Sequence, residues 1–540
     1  MAKSCGRVLV ACLLATTWHE AAADTTSVDL TALMARMDAL QAEVTALREA
    51  EAQDAAVPRK LLKTATVKGF GNRRVPGKAR FEKEVEGREL TWATWPEAIA
   101  DLQGAMNHMW LILCGALVML MQAGFAMLES GACRSKNAQN LLMKNLADLT
   151  VGTLCWWSFG WMFAYGADED PNMFAGTKQY FSDSFFDDVT SDGTHVATDL
   201  PLGWFFQWAF CGAAATIVSG GVAERINFHA YAIYSCWLTA FVYPVVVFWT
   251  WSGSGWLYGG EDAVTDIGYY DFAGSGIVHM TGGIGALCGA IVLGPRLGRF
   301  DDPNSTEFDP HNVPLLVLGT FILWFGWYGF NCGSTLGLAD TATGRLAAHV
   351  AMNTTIAPAT GGITVLLLKY AVLKRYDVGG LCNGILAGLV SITAPCGNVT
   401  NWSAFLIAII GGLVYFGAST GLKLAKVDDP LDAFPVHGAC GAWGALAAVI
   451  FDMGKGFDFF NGWSGFSCEV DADGACYSGG WTSALGAQVV GIICIILWVG
   501  ATSLAAMVPM RVLGIMRASD EVQTKGMDEA KHSPSKAYVA

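Results

Sequence analysis

From residue 107 onward the chain is a succession of apolar runs. They lie near 107–128, 141–165, 202–221, 229–251, 272–294, 314–337, 346–368, 378–396, 402–422, 434–451 and 484–508. A run of about 20 apolar residues is long enough to cross the hydrocarbon of a bilayer as a helix. Inside lipid every backbone N–H and C=O must find its partner within the chain, which leaves helices as the workable form for such a series. The expected fold is therefore an all-α polytopic membrane protein with eleven transmembrane helices. Composition agrees, since 53% of residues are hydrophobic and only 15% are charged, against about 25% charged in soluble domains. A net charge of −14 argues against a nucleic-acid partner, which would require basic patches for the phosphates. No nucleophile–base pair or metal-ligand cluster stands out, so the expectation is no enzyme and no cofactor.

Basic residues fall in alternate connections: Arg134 and Lys136, Arg225, Arg296 and Arg299, Lys369 with Lys374 and Arg375, Lys423 and Lys426, then Arg511 and Arg517. By the positive-inside rule these connections are cytoplasmic. The intervening ones are acidic. Between Gly166 and Leu200 there are eight Asp/Glu and one Lys, and between Asp452 and Trp481 five Asp/Glu and one Lys. An odd number of spans then places the N-terminus outside and the C-terminus inside.

Residues 1–23 read as a secretory signal, with Lys3 and Arg7 before a short apolar stretch and Ala21-Ala22-Ala23 at its end. A cleaved signal also puts the next residue outside. Residues 24–104 form an extracellular extension. Leu33, Met37, Leu40, Val44 and Leu47 give it a short coiled-coil-like spacing. The membrane domain is expected over 105–510 and a cytoplasmic tail over 511–540. The external connections hold two glycosylation sequons, at Asn398 and Asn401. They also hold Cys468 and Cys476, with seven residues between them, in a compartment that permits a disulfide.

A short pattern occurs twice. Asp271 precedes His279 by eight residues and Asp429 precedes His437 by eight; a Val stands before each His and a Gly four residues after it, at Gly283 and Gly441. The copies fall in spans five and ten, so the halves that carry them enter the membrane in opposite directions. That is the mark of an inverted repeat, whose substrate path lies at the repeat interface near midplane. Of nine His, only His279 and His437 lie well inside apolar runs, and ionisable groups there are costly enough to point to function. Each Asp is about 12 Å along a helix from its His, too far to share a site, and reads as a brace for the helix start. Zinc would need further ligands at helical spacing. Two neutral imidazoles offer a donor and an acceptor nitrogen each, which suits a small molecule able to give and take hydrogen bonds and lose a proton. Ammonium and ammonia fit. Phe206 and Phe210 share a helix face, Trp251 ends span four, and Phe330 and Ser334 lie in span six. Aromatic faces can replace part of the hydration of a small cation.

Six stretches carry a family resemblance: Gly124-Phe-Ala-Met-Leu-Glu129, Arg134-Ser-Lys-Asn137, Ala223-Glu-Arg225, Asp271-Phe-Ala-Gly-Ser-Gly-Ile-Val-His279, Trp327-Tyr-Gly-Phe-Asn331 and Asp428-Asp-Pro-Leu-Asp-Ala-Phe-Pro-Val-His437. Together they resemble the ammonium transporters of the Amt/Mep type, within the Amt/Mep/Rh superfamily. The resemblance spans about 105–530. It implies two inverted five-helix repeats plus one extra helix, assembled as a homotrimer in the plasma membrane. It implies a substrate of ammonium or ammonia, with methylammonium as analogue. An external recruitment site would be formed by Trp251, Phe210 and Ser334, with the acidic Asp271 beside it. Phe210 and Phe330 would be a stacked gate, and His279 and His437 the pore pair. The segment from Ala518 to Asp528 resembles the family's regulatory tail, with fewer acidic residues before Gly526. Trp251 and Ser334 favour the Amt branch over the Rh branch. Two rivals stay open: an Rh-like channel for neutral ammonia or carbon dioxide, and an ammonium sensor that transports little.

Overall fold

The computed structural model describes residues 95–167, 172–185, 188–189, 195–196, 198–258, 268–302, 305–452 and 480–538. The expected signal, the coiled-coil-like stretch and the Cys468–Cys476 pair lie outside them.

The described chain is helical apart from a two-residue antiparallel pairing, β1 (Asp188–Val189) with β2 (His195–Val196). The long helices are α1 (Trp95–Ala132), α2 (Ala138–Cys155, prolonged by Trp156–Gly160 and Trp161–Tyr165) and α3 (Leu200–Val222), then α4 (Phe228–Thr250) and α5 (Ser275–Leu293). There follow α6 (Val313–Gly333), α7 (Thr341–Leu373), α8 (Val378–Thr393), α9 (Asn401–Leu424), α10 (Phe434–Ile450) and α11 (Gly480–Val512). Two short helices close the tail, α12 (Asp520–Lys525) and α13 (Met527–Lys531). Among the described residues, eight of these helices are long and apolar enough to cross a membrane. Helices α8 and α10 are apolar but shorter, and α2 carries the buried charges Lys144 and Asp148.

Helix starts follow local chemistry. Asn312, Asp340, Asp377 and Thr400 each accept a backbone N–H from the first turn of the helix they precede, which satisfies donors that the helix itself cannot. Four helices contain a wider π-turn: Trp156–Gly160, Leu238–Val242, Ser275–Met280 and Phe434–Ala439. Such turns concentrate at functional positions, and the last two hold His279 and His437. Before the other two stand Cys155 and Cys236, both free thiols, with sulfurs 2.8 Å apart.

At one end of the bundle the basic connections meet. Glu224 accepts from the backbone N–H and Nε of Arg134 and from Asn137, and pairs with Arg296. Arg296 also donates its backbone N–H, Nε and Nη2 to Asp428. Arg225 donates to the carbonyls of Ala223, Gly294 and Asp428. Burial alone would raise the carboxyls of Glu224 and Asp428, but Arg296 and its fellow arginines outweigh it and hold both at about 2. The tail docks on the same end. Asp528 caps α2 by accepting from Gln139 and Asn140, and Ala518 donates to the carbonyl of Arg225.

One sequon reading is corrected here. Asn398 is fully buried, and its amide nitrogen donates to the carbonyl of Ala448 and to Asp452 Oδ2. A glycan needs that nitrogen at the surface, and here it is enclosed. Asn401, in the first turn of α9, is partly exposed.

Candidate functional site

The site begins at Asp271. Its Oδ1 accepts from Gly274 and Ser275 and its Oδ2 from Gly276 and Ile277, all at 2.8–2.9 Å. Gly274 makes this turn at φ +106°, a conformation that glycine adopts without steric cost. The carboxylate thus folds the entry to α5, as its distance from His279 suggested. With four N–H groups already held, it positions the site and is not available to grip a cation. Asp271 also fixes Trp251, whose indole N–H donates to its backbone carbonyl at 2.9 Å.

From Trp251 a line of rings runs inward. Trp251 meets Phe210 edge-on, with centroids 6.1 Å apart. Phe210 stacks on Phe330 at 4.0 Å. Phe330 lies 5.3 Å from the ring of His279, and His279 lies 5.2 Å from His437. Trp251 and Ser334 are partly exposed, whereas Phe210, Phe330 and His279 are fully buried. Ser334 donates its hydroxyl to the carbonyl of Phe330, 2.9 Å away, so its oxygen lone pairs remain to accept from a cation. Trp251, Phe210, Phe330, His279 and His437 thus form one line of rings, and Ser334 stands one helical turn after Phe330.

The imidazoles face each other through Nδ1, 3.2 Å apart. One Nδ1 must donate and the other accept, so the pair shares a single proton there. The arrangement fixes the far nitrogens as well: one ring presents a bare Nε2 and the other an Nε2–H. His279 Nε2 is buried and has no partner among the described residues. The repeat glycines explain the close approach. A Cβ on Gly283 would overlap the backbone of Gly438 and lie 2.9 Å from His437 C; one on Gly441 would overlap Ser275 O and lie 3.2 Å from Met280 N. Each glycine thus places bare backbone against the π-turn that carries the other histidine.

Two ring neighbours escaped the sequence reading. Trp327 stacks on His279 at 5.0 Å and 13°, held by its indole N–H to Thr393 Oγ1. Phe125 packs on His437 at 6.2 Å. Both belong to motif stretches quoted above, but an aromatic in an apolar run looks the same in a core and at a pore. Among the described residues no group of three or more His, Cys, Asp or Glu is placed to hold a metal ion.

The sequence profile of the Ammonium Transporter Family matches residues 109–538. The chain belongs to the ammonium transporter family. Among the family's relatives, ammonium transporter 1 member 3 of Solanum lycopersicum is 38% identical over 450 residues, covering 82% of this chain and 94% of the relative. Ammonium transporter Amt2 of Archaeoglobus fulgidus is 40% identical, covering 79% and 87%. Of solved structures, a sensor Amt protein aligns with a TM-score of 0.68 at 32% identity, over 80% of this chain and 99% of that one. Saccharomyces cerevisiae Mep2 aligns with a TM-score of 0.66 at 28% identity, over 77% and 88%. The family membership extends over the column of rings and the docked tail, and stops short of the first hundred residues.

Proposed function

We propose that this member of the ammonium transporter family moves ammonium across the plasma membrane through the ring column, handing one proton to the imidazole pair on the way. The observation that carries the reading is the buried Nδ1–Nδ1 contact, with His279 Nε2 left without a partner among the described residues. Ammonium is recruited between the Trp251 face and the Ser334 hydroxyl, where cation–π attraction and one accepted N–H replace lost water. A bare cation is costly at mid-bilayer. Transfer of its proton to an imidazole lets neutral ammonia cross the dry stretch, and histidine suits this because its ordinary pKa lies near neutrality. Phe210 and Phe330 in van der Waals stacking leave no opening between them, so each passage requires a ring rotation. The reading includes eleven spans, two inverted five-helix halves, a homotrimer, and a cytoplasmic C-terminus. It retains an external Cys468–Cys476 disulfide and a single glycan at Asn401.

The deciding experiment is a voltage-clamp recording with ammonium and methylammonium at equal surface expression. Saturable inward current supports the reading. Ammonia flux without current supports the Rh-like alternative. A sensor is the second reading, favoured by the likeness to a sensor Amt protein. It predicts ammonium binding without current and no rescue of transport-deficient yeast on low ammonium.

A further inference from the structure

Where α11 ends and the tail turns back, the protein has an open cleft of about 560 Å³, within the size range of small-molecule sites. Three cationic side chains line it, Arg511, Arg517 and Lys531, against one carboxylate, Asp520. Asn227 and Ser519 add polar walls. The lining is assembled from three parts of the chain: the last turn of α11, the start of α4 and the tail. Backbone pairing keeps these together, since Asn227 donates its N–H to the carbonyl of Met516 and its amide to that of Ile515.

The charges in this cleft are not spent on one another. Among the described residues no carboxylate lies within 4.0 Å of Arg511, Arg517 or Lys531, although carboxylates pair with Arg134, Arg296, Arg299, Lys369, Lys423 and Lys525. Arg517 is fixed by donating Nη1 to the carbonyl of Leu293 at 2.7 Å. Its pKa is lowered, first by burial and then by the neighbouring charge of Arg511. Two guanidiniums repelling across a polar cleft are relieved by an anion between them. Guanidinium forks match phosphate oxygens. The cleft also adjoins the end of a membrane helix, where basic clusters meet lipid headgroups.

We propose that this cleft binds a phosphate monoester, held by Arg511, Arg517 and Lys531, and that its occupant ties the tail to the end of α11. The phosphate belongs either to an anionic lipid headgroup or to a soluble phosphorylated molecule. The test uses the intact chain in detergent, with native mass spectrometry to count bound molecules. One arm adds phosphatidic acid or phosphatidylinositol 4-phosphate, with phosphatidylcholine as neutral control. The other adds inositol trisphosphate and inorganic phosphate. Binding in either arm, weakened tenfold or more in Arg511→Gln/Lys531→Gln and by raised salt, supports the site, and the arm that binds identifies the source. Arg511→Lys should retain binding within about threefold, as a remaining charge still attracts phosphate. Limited trypsin cleavage after Lys525 should slow when the phosphate compound is present, and should not slow in the double variant. Equal retention of phosphatidylcholine, undiminished binding in the double variant, or no binding in either arm would overturn the proposal.

Discussion

A proton held between His279 Nδ1 and His437 Nδ1 makes the two rings one unit, so neither should work alone. Replacing His279 or His437 by Ala should abolish or strongly cut ammonium current at unchanged surface expression. Wild-type current in the double variant would reduce the pair to packing. In the proposed reading Trp251 acts earlier, at the mouth. Trp251→Leu removes a cation–π contribution of about 0.5–2 kcal/mol, so the apparent affinity for ammonium should fall by up to about thirtyfold while the maximal current persists. An unchanged affinity would assign Trp251 to interfacial packing only. Asp271 belongs to a different class, because its carboxylate is occupied by four backbone N–H groups. Its loss should act through the shape of the α5 entry.

The two helices that carry His279 and His437 are built on an exchange of small residues. Gly283 and Gly441 let the π-turns at Ser275–Met280 and Phe434–Ala439 cross with their backbones nearly touching. Gly441→Val should therefore block folding or surface delivery, whereas Gly417→Ala, where a Cβ meets nothing within 4 Å, should express and transport normally. Antibody labelling of intact cells separates the two outcomes. This crossing also shows what the sequence could reveal. The Asp-to-His spacing and the Gly after each His were visible as a repeat, but only the glycines act alike: Asp271 holds four backbone N–H groups, whereas Asp429 Oδ2 accepts that of Phe434. The π-turns were not visible, since their hydrogen-bond shift leaves no residue signature. The packing of Trp327 and Phe125 on the histidines was hidden for a related reason, as every helix here is rich in large apolar side chains. At Asn398 the sequon was legible but its burial was not, because the groups that take up the amide, Ala448 and Asp452, lie 50 residues and more further along the chain.

Among the described residues, a network of buried ion pairs gathers at one end of the bundle. Glu224 and Asp428 are held near pKa 2, below their ordinary values of 4.5 and 3.8. A carboxyl depressed by folding stabilises the native state above its unfolded pKa, and that contribution is lost as pH falls towards the folded value. The purified protein should therefore lose thermal stability between about pH 4.5 and 2. Glu224→Gln should flatten that acid limb and lower stability by about 3–5 kcal/mol, since it strands two buried arginines; a melting curve in detergent reads both effects. The same ion network bears on how anything can pass. Glu224 lies in the first half of the chain and Asp428 in the second, and one guanidinium, that of Arg296, grips both. Rocking of one half against the other, the usual route to alternating access, would have to pull this buried clasp apart at every turnover. In the proposed two-half reading this clasp holds the halves together, and movement is left to individual rings. Flux should then persist when the two connections are covalently cross-linked at that end, as in a pore with a swinging side-chain door and unlike a carrier that must change its whole shape.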